Sequence, residues 1–112
     1  MGTPKQSPEI LPGTLDLLIL RALLPGRMHG YGIASRLQQV SDDVLRIGES
    51  SLYPALQRLL LHGWVKAEWG ISENNRRARY YTLTRAGVKQ LAAEREEFGR
   101  MVEAIQKVLN MA

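Results

Sequence analysis

The chain has 112 residues, 45% of them hydrophobic, and a formal net charge of +4; that suits one compact domain with a real core and argues against wholesale disorder. It contains no cysteine, which excludes disulfides, thiolate zinc sites and cysteine nucleophiles and fits a reducing cytoplasm. The longest aliphatic run, Leu17 to Leu20, is cut by Arg21 and is too short to span a bilayer, and the N-terminus lacks the apolar stretch of a signal peptide.

Residues 1–12, punctuated by Pro4, Pro8 and Pro12, read as a flexible arm. A first helix is predicted from Gly13-Thr14, because Leu15, Leu18, Ile19, Ala22 and Leu23 recur three and four apart. Asp16 suits the positive end of its dipole, and Pro25-Gly26 stops it. His29-Gly30-Tyr31-Gly32 turns into a second helix, about Tyr31 to Val40, whose apolar stripe is Ile33, Leu37 and Val40. Ser41-Asp42-Asp43 ends it. Leu45-Arg46-Ile47 is too short for a helix and reads as a strand fragment.

The third helix takes Ser50 or Ser51 as its N-cap and carries Pro54 in its first turn, where the missing N–H is no loss. Leu52, Ala55, Leu56, Leu59 and Leu60 face inward, and Gly63 supplies the left-handed stop. Two alternating segments follow. Val65, Ala67 and Trp69 share a face against Lys66 and Glu68, and Arg79, Tyr81 and Leu83 oppose Ala78, Tyr80 and Thr82. With the polar segment Ser72 to Arg77 between them, the pattern predicts a β-hairpin with a basic tip.

From Thr84, a good N-cap, a helix runs to about Leu109, roughly 38 Å. Val88, Leu91, Arg95, Phe98, Val102, Ile105, Leu109 and Ala112 alternate three and four apart along it, a heptad seam. A small domain cannot cover so long a seam, so a second copy is the simplest cover, giving a homodimer. Arg95 interrupts the seam; it either snorkels or pairs with a partner carboxylate such as Glu94 or Glu97.

The order of elements is mainly α with a small β-hairpin: three helices, the hairpin, then the long helix. That is the order of a winged helix-turn-helix, in which the third helix enters the major groove. The expected organisation is an arm at 1–12, a winged-helix DNA-binding domain at 13–84 and a dimerisation helix at 85–112. Leu91, Arg95, Phe98, Val102, Ile105 and Leu109 are the candidate dimer contacts.

Charge is unevenly spread. Residues 57–90 hold Arg58, Lys66, Arg76, Arg77, Arg79, Arg85 and Lys89 against only Glu68 and Glu73, while the flanking segments are near balance. Such a concentration is the footprint of a polyanion binder, with a solvated basic surface as the plain alternative. On the face of the third helix opposite its leucines stand Ser50, Tyr53, Pro54 and Gln57, of which the serine, tyrosine and glutamine can bond base edges or phosphates of double-stranded DNA. The hairpin tip carries Asn74, Asn75, Arg76, Arg77 and Arg79 as candidate DNA contacts, and its arginines suit phosphates and a narrow minor groove; the competing role is protection of a strand edge. A protein-interaction module meeting an acidic partner through the same basic face is the second functional reading.

An enzyme is not expected. His29 and His62 sit at a turn and a helix end with no carboxylate or histidine at metal-ligand spacing, and Gly30-Tyr31-Gly32 lacks the third glycine and preceding strand of a dinucleotide loop. No catalytic residue, metal or cofactor is assigned. Trp64, Trp69 and Phe98 read as core aromatics, with an effector pocket at the dimer interface as the alternative.

Several stretches, taken in order over about residues 13–91, resemble the PadR family of bacterial winged-helix transcriptional regulators. They are Gly13-Thr14-Leu15-Asp16-Leu17-Leu18-Ile19-Leu20, His29-Gly30-Tyr31-Gly32-Ile33, Ser50-Ser51-Leu52-Tyr53-Pro54-Ala55-Leu56 with Arg58-Leu59, Gly63-Trp64-Val65, and the run from Arg76 to Gly87. Glu68-Trp69-Gly70 and the segment Ser72 to Arg77 look like the short subgroup described with acidobacterial and permease-associated genes. The resemblance implies a homodimer joined through the C-terminal helix and, usually, a repressor. It places DNA contacts on Ser50, Ser51, Tyr53 and the Arg76, Arg77, Arg79 group. Many relatives sense small molecules, which leaves room for an unidentified effector here, although the larger C-terminal domain of longer members is not expected.

Overall fold

The computed structural model describes residues 13–112; the arm expected at 1–12 lies outside the described residues. Helix α1 (Thr14–Leu23) starts at Gly13, whose φ of +86° suits glycine. It buries Leu15, Leu17, Ile19, Leu20 and Leu23, more than one stripe, because it touches α2 (Gly30–Val40), α3 (Glu49–Leu61), α4 (Arg85–Leu109) and the sheet. It is the hub of the core. Ile33, Leu52, Ala55, Leu56 and Leu59 close on it from α2 and α3. The Arg58 guanidinium of α3 grips the Asp16 carboxylate of α1, Nη2 to Oδ1 at 2.8 Å and Nε to Oδ2 at 3.3 Å.

The hairpin forms as its alternation predicts. Strands β2 (Val65–Ile71) and β3 (Arg77–Leu83) pair antiparallel, with Val65 opposite Leu83, Ala67 opposite Tyr81 and Trp69 opposite Arg79. A five-residue loop, Ser72 to Arg76, closes it through Ser72 N–H to the Arg76 carbonyl, 2.7 Å, and Asn75 N–H to the Ser72 carbonyl, 2.9 Å. The third strand is not the predicted Leu45-Arg46-Ile47. It is β1 (Met28–His29), which pairs with Tyr81 and Tyr80 so that the sheet order is β1-β3-β2. Residues 45–47 form no strand: the Ser41 hydroxyl accepts from Leu45 N–H at 2.8 Å, Arg46 pairs back to Asp43, and Ile47 packs on the core. Local side-chain bonds to the backbone outcompete a ladder in so short a segment.

The start of α3 also differs from expectation. Gly48 is its N-cap, so Ser50 and Ser51 lie inside the first turn and neither caps it by its side chain. Pro54 therefore falls beyond that turn, where it removes the N–H that would bond the Ser50 carbonyl. The C-terminus is as predicted, with Gly63 at φ +73° and a Schellman pair, Trp64 N–H to the Leu59 carbonyl and Gly63 N–H to that of Leu60, each at 3.0 Å.

Helix α4 is anchored at one corner. Its N-cap Thr84 accepts from Gly87 N–H at 3.0 Å and donates to the Gly63 carbonyl at 2.7 Å, while Thr84 N–H bonds the Trp64 carbonyl at 3.0 Å. The helix start sits so tightly there that a Cβ on Gly87 would lie 2.0 Å from the Trp64 oxygen. Only Gly87 and Leu91 of α4 are buried; Leu91, 5% exposed, belongs to the core of its own chain. Beyond it Phe98, Met101, Ile105, Val108 and Leu109 are exposed, Val102 is half-buried, and Arg95 is exposed without an ion pair among the described residues.

Candidate nucleic-acid interface

At its base, the inner face of the hairpin is core: Val65 and Tyr81 are buried, with Ala67 and Leu83 packed beside them. Toward the tip the same face runs past the helices, and alternation now exposes Trp69, Ile71, Arg77 and Arg79. Opposite it stand the start of α2 and Tyr53 of α3. Between the two walls is an open groove of about 1030 Å³.

The groove is basic. Arg36, Arg76, Arg77 and Arg79 line it against one carboxylate, Glu73. Aromatic rings form much of the remaining wall: His29, Tyr31, Tyr53, Trp69 and Tyr81. Arg77 lies over Trp69 with its guanidinium carbon 4.4 Å from the ring centre, and Arg79 stands 6.0 Å from the Tyr81 ring. Burial pushes the Tyr81 phenol above its ordinary 10.0, and the charge of Arg79 only partly opposes this.

His29 sets the other wall. Its Nδ1 accepts the Gly32 N–H at 2.9 Å, capping α2, and its ring meets Tyr80 edge-on at 5.6 Å. Gly30 lets Tyr53 lie close over the helix start, since a Cβ there would touch the Tyr53 ring at 3.2 Å. Tyr31 projects from this turn, 78% exposed.

Of the predicted contact residues, the groove collects Tyr53, Arg76, Arg77 and Arg79. Ser50, Ser51 and Gln57 are exposed on α3 outside it. Asn75 has φ +57° and shapes the loop by its backbone, a conformation that asparagine tolerates well. The sequence reading missed Tyr31, Ser35, Arg36 and Gln39, which the polar side of α2 brings into the groove. Trp69, expected as core, is 59% exposed. Arg58, part of the basic segment, is committed to Asp16, whose hydrogen bond raises its pKa further.

A three-helix core carrying a basic hairpin beside an exposed helix is a winged helix of the DNA-binding kind. Residues 19–93 match the transcriptional regulator PadR-like family, and the chain belongs to that family. It is similar to a transcriptional regulator of known structure from Clostridium thermocellum, at 33% identity and TM-score 0.78 over 85% of this chain and 92% of that one. A PadR family transcription regulator from Clostridium difficile is 27% identical, TM-score 0.74, over 88% of this chain and all of the other. An uncharacterised protein of Lysinibacillus sphaericus is 29% identical over 97 residues, 87% of this chain and 89% of its own length. The protein is thus a DNA-binding transcriptional regulator.

Proposed function

We propose that the protein is a homodimeric repressor that binds a roughly palindromic operator in double-stranded DNA. In each copy α3 enters the major groove and presents Ser50, Ser51, Tyr53 and Gln57, while Asn75, Arg76, Arg77 and Arg79 of the wing meet the backbone and minor groove. The observation that carries this reading is the groove itself, with four arginines and one carboxylate between the α2–α3 corner and the wing. Residues 13–84 would form the DNA-binding unit and 85–112 the dimerisation helix.

The exposed apolar face of α4 supports dimerisation, because among the described residues Phe98, Ile105 and Leu109 remain 40%, 44% and 75% exposed. Glu94 on the same helix accepts from Gln90 through Oε1 at 3.0 Å, while its buried Oε2 has no partner among the described residues. A guanidinium such as Arg95 of a second copy would satisfy it.

A gel-shift titration against the duplex upstream of the protein's own coding sequence, with random duplex as competitor, tests the proposal. The expected result is preferential binding of the upstream duplex. Arg76→Ala with Arg77→Ala should weaken binding on every sequence and reduce the slope of log K against log salt by about 1.8. Equal affinity for both DNAs, or a double variant indistinguishable from the parent at every salt concentration, would overturn it.

A further inference from the structure

We propose that Trp69 is a positioning residue for DNA binding: its indole is a platform that holds the Arg77 guanidinium flat, with its N–H donors free for a phosphate. The inference rests on the reading of the wing as a DNA contact, and assigns within it a role to a side chain that touches the arginine, not the nucleic acid.

Three observations carry it. Trp69 is 59% exposed on a strand whose inward positions at the base are core, so packing within the fold does not account for a side chain this large. In register it faces Arg79 directly, with Arg77 two pairs further toward the tip, opposite Ile71 and on the same face of the sheet. From that diagonal position the Arg77 guanidinium carbon reaches 4.4 Å from the ring centre. Diagonal neighbours on a sheet face are within reach of aromatic and long side chains.

Two other arginines give the contrast. Arg27 also lies on a ring, Tyr80, at 4.4 Å, but it donates to Glu68 at 3.4 Å, and Arg58 is gripped by Asp16 at 2.8 Å. Both spend donors on a carboxylate. Among the described residues Arg77 has no such partner. Stacking uses the face of the guanidinium and leaves the in-plane N–H groups outward. Holding a long side chain in its bound direction removes part of the ordering cost that a mobile arginine meets on association.

A double-mutant cycle on the full chain tests this, with duplex DNA binding followed by fluorescence anisotropy over a range of salt. Trp69→Ala should weaken binding about three- to tenfold and leave the salt slope unchanged, because the cation is still present. Trp69→Phe should recover most of the loss, and Arg77→Ala should lower the slope by about 0.9. With Arg77→Ala already in place, Trp69→Ala should cost nothing further. Far-UV circular dichroism of each variant verifies the fold. The inference is overturned if Trp69→Ala costs as much with Arg77 absent as with it present, or if it lowers the slope itself. A parent protein that binds no duplex at all would instead remove the DNA reading on which the inference stands.

Discussion

Gly87→Ala should be among the more damaging single-methyl additions to this chain. A Cβ at that position would lie 2.0 Å from the Trp64 carbonyl oxygen and 2.9 Å from its carbon, and both neighbours are backbone. Relief requires α4 to withdraw by about an ångström, the kind of overpacking that costs about 1–3 kcal/mol. Withdrawal also stretches the cap, since the Trp64 carbonyl accepts from Thr84 N–H and the Thr84 hydroxyl bonds both Gly87 and Gly63; a lost cap costs about 1 kcal/mol. The gain in helix propensity from glycine to alanine, about 0.5–1 kcal/mol, offsets part of this. The net loss is about 1–3 kcal/mol, a fall in Tm on the order of 10 °C for a domain of this size. Gly99 lies in the same helix with no neighbouring atom within 4 Å of a Cβ, so Gly99→Ala keeps only the propensity term and should raise Tm by a few degrees. Thermal unfolding of the three proteins at equal concentration checks both shifts. A Gly87→Ala protein melting at or above the parent would refute the close docking of α4 on the Trp64 carbonyl.

Arg58→Ala should lower stability by about 1–2 kcal/mol, because the bidentate guanidinium is half exposed but the Asp16 side chain it would leave unpaired is only 14% exposed; urea unfolding measures it, and the salt slope of DNA binding should not change. Tyr81 should ionise above 10.0, its phenol held up by burial. A folded-state pKa raised in this way contributes stability that is present below about pH 10 and lost as pH rises through the higher value. Absorbance titration at 295 nm, with Tyr81→Phe as the control, should show a transition above 10.0 that is missing from the variant. Phe98→Glu with Ile105→Glu should give a monomer by sedimentation velocity while leaving the melting of the core little changed, since both side chains are exposed within the chain.

What could be read from the sequence is what period alone determines. The hairpin follows from the alternation of Val65 to Trp69 and of Ala78 to Leu83 on either side of a polar loop, and α4 follows from Thr84 and the three-four spacing behind it. What escaped depends on neighbours. Leu17 and Leu20 are buried because α1 has partners on several sides, which no single stripe reveals. The strand Met28–His29 is two residues long and has no periodicity to detect; it exists because β3 offers an open edge beside it. Leu91 fits a seam by spacing, yet the tight corner at Gly87 presses the first turns of α4 onto the core and takes Leu91 with them. In the interface, Arg76, Arg77 and Arg79 were visible as a charge cluster. The contribution of α2 was not, because Tyr31, Ser35 and Gln39 are an ordinary polar helix face until the wing is placed opposite. Trp69 misled for a related reason: its strand face is core at one end and groove wall at the other.

Footprinting of the region upstream of the protein's own coding sequence, at physiological salt, bears most directly on the claim that a wing and a reader helix, duplicated through α4, recognise DNA. Two protected half-sites about one helical turn apart, related by an approximate two-fold axis and lost in the Arg76→Ala, Arg77→Ala protein, are the expected result. A single unpaired patch, or uniform protection that random duplex abolishes, would contradict it.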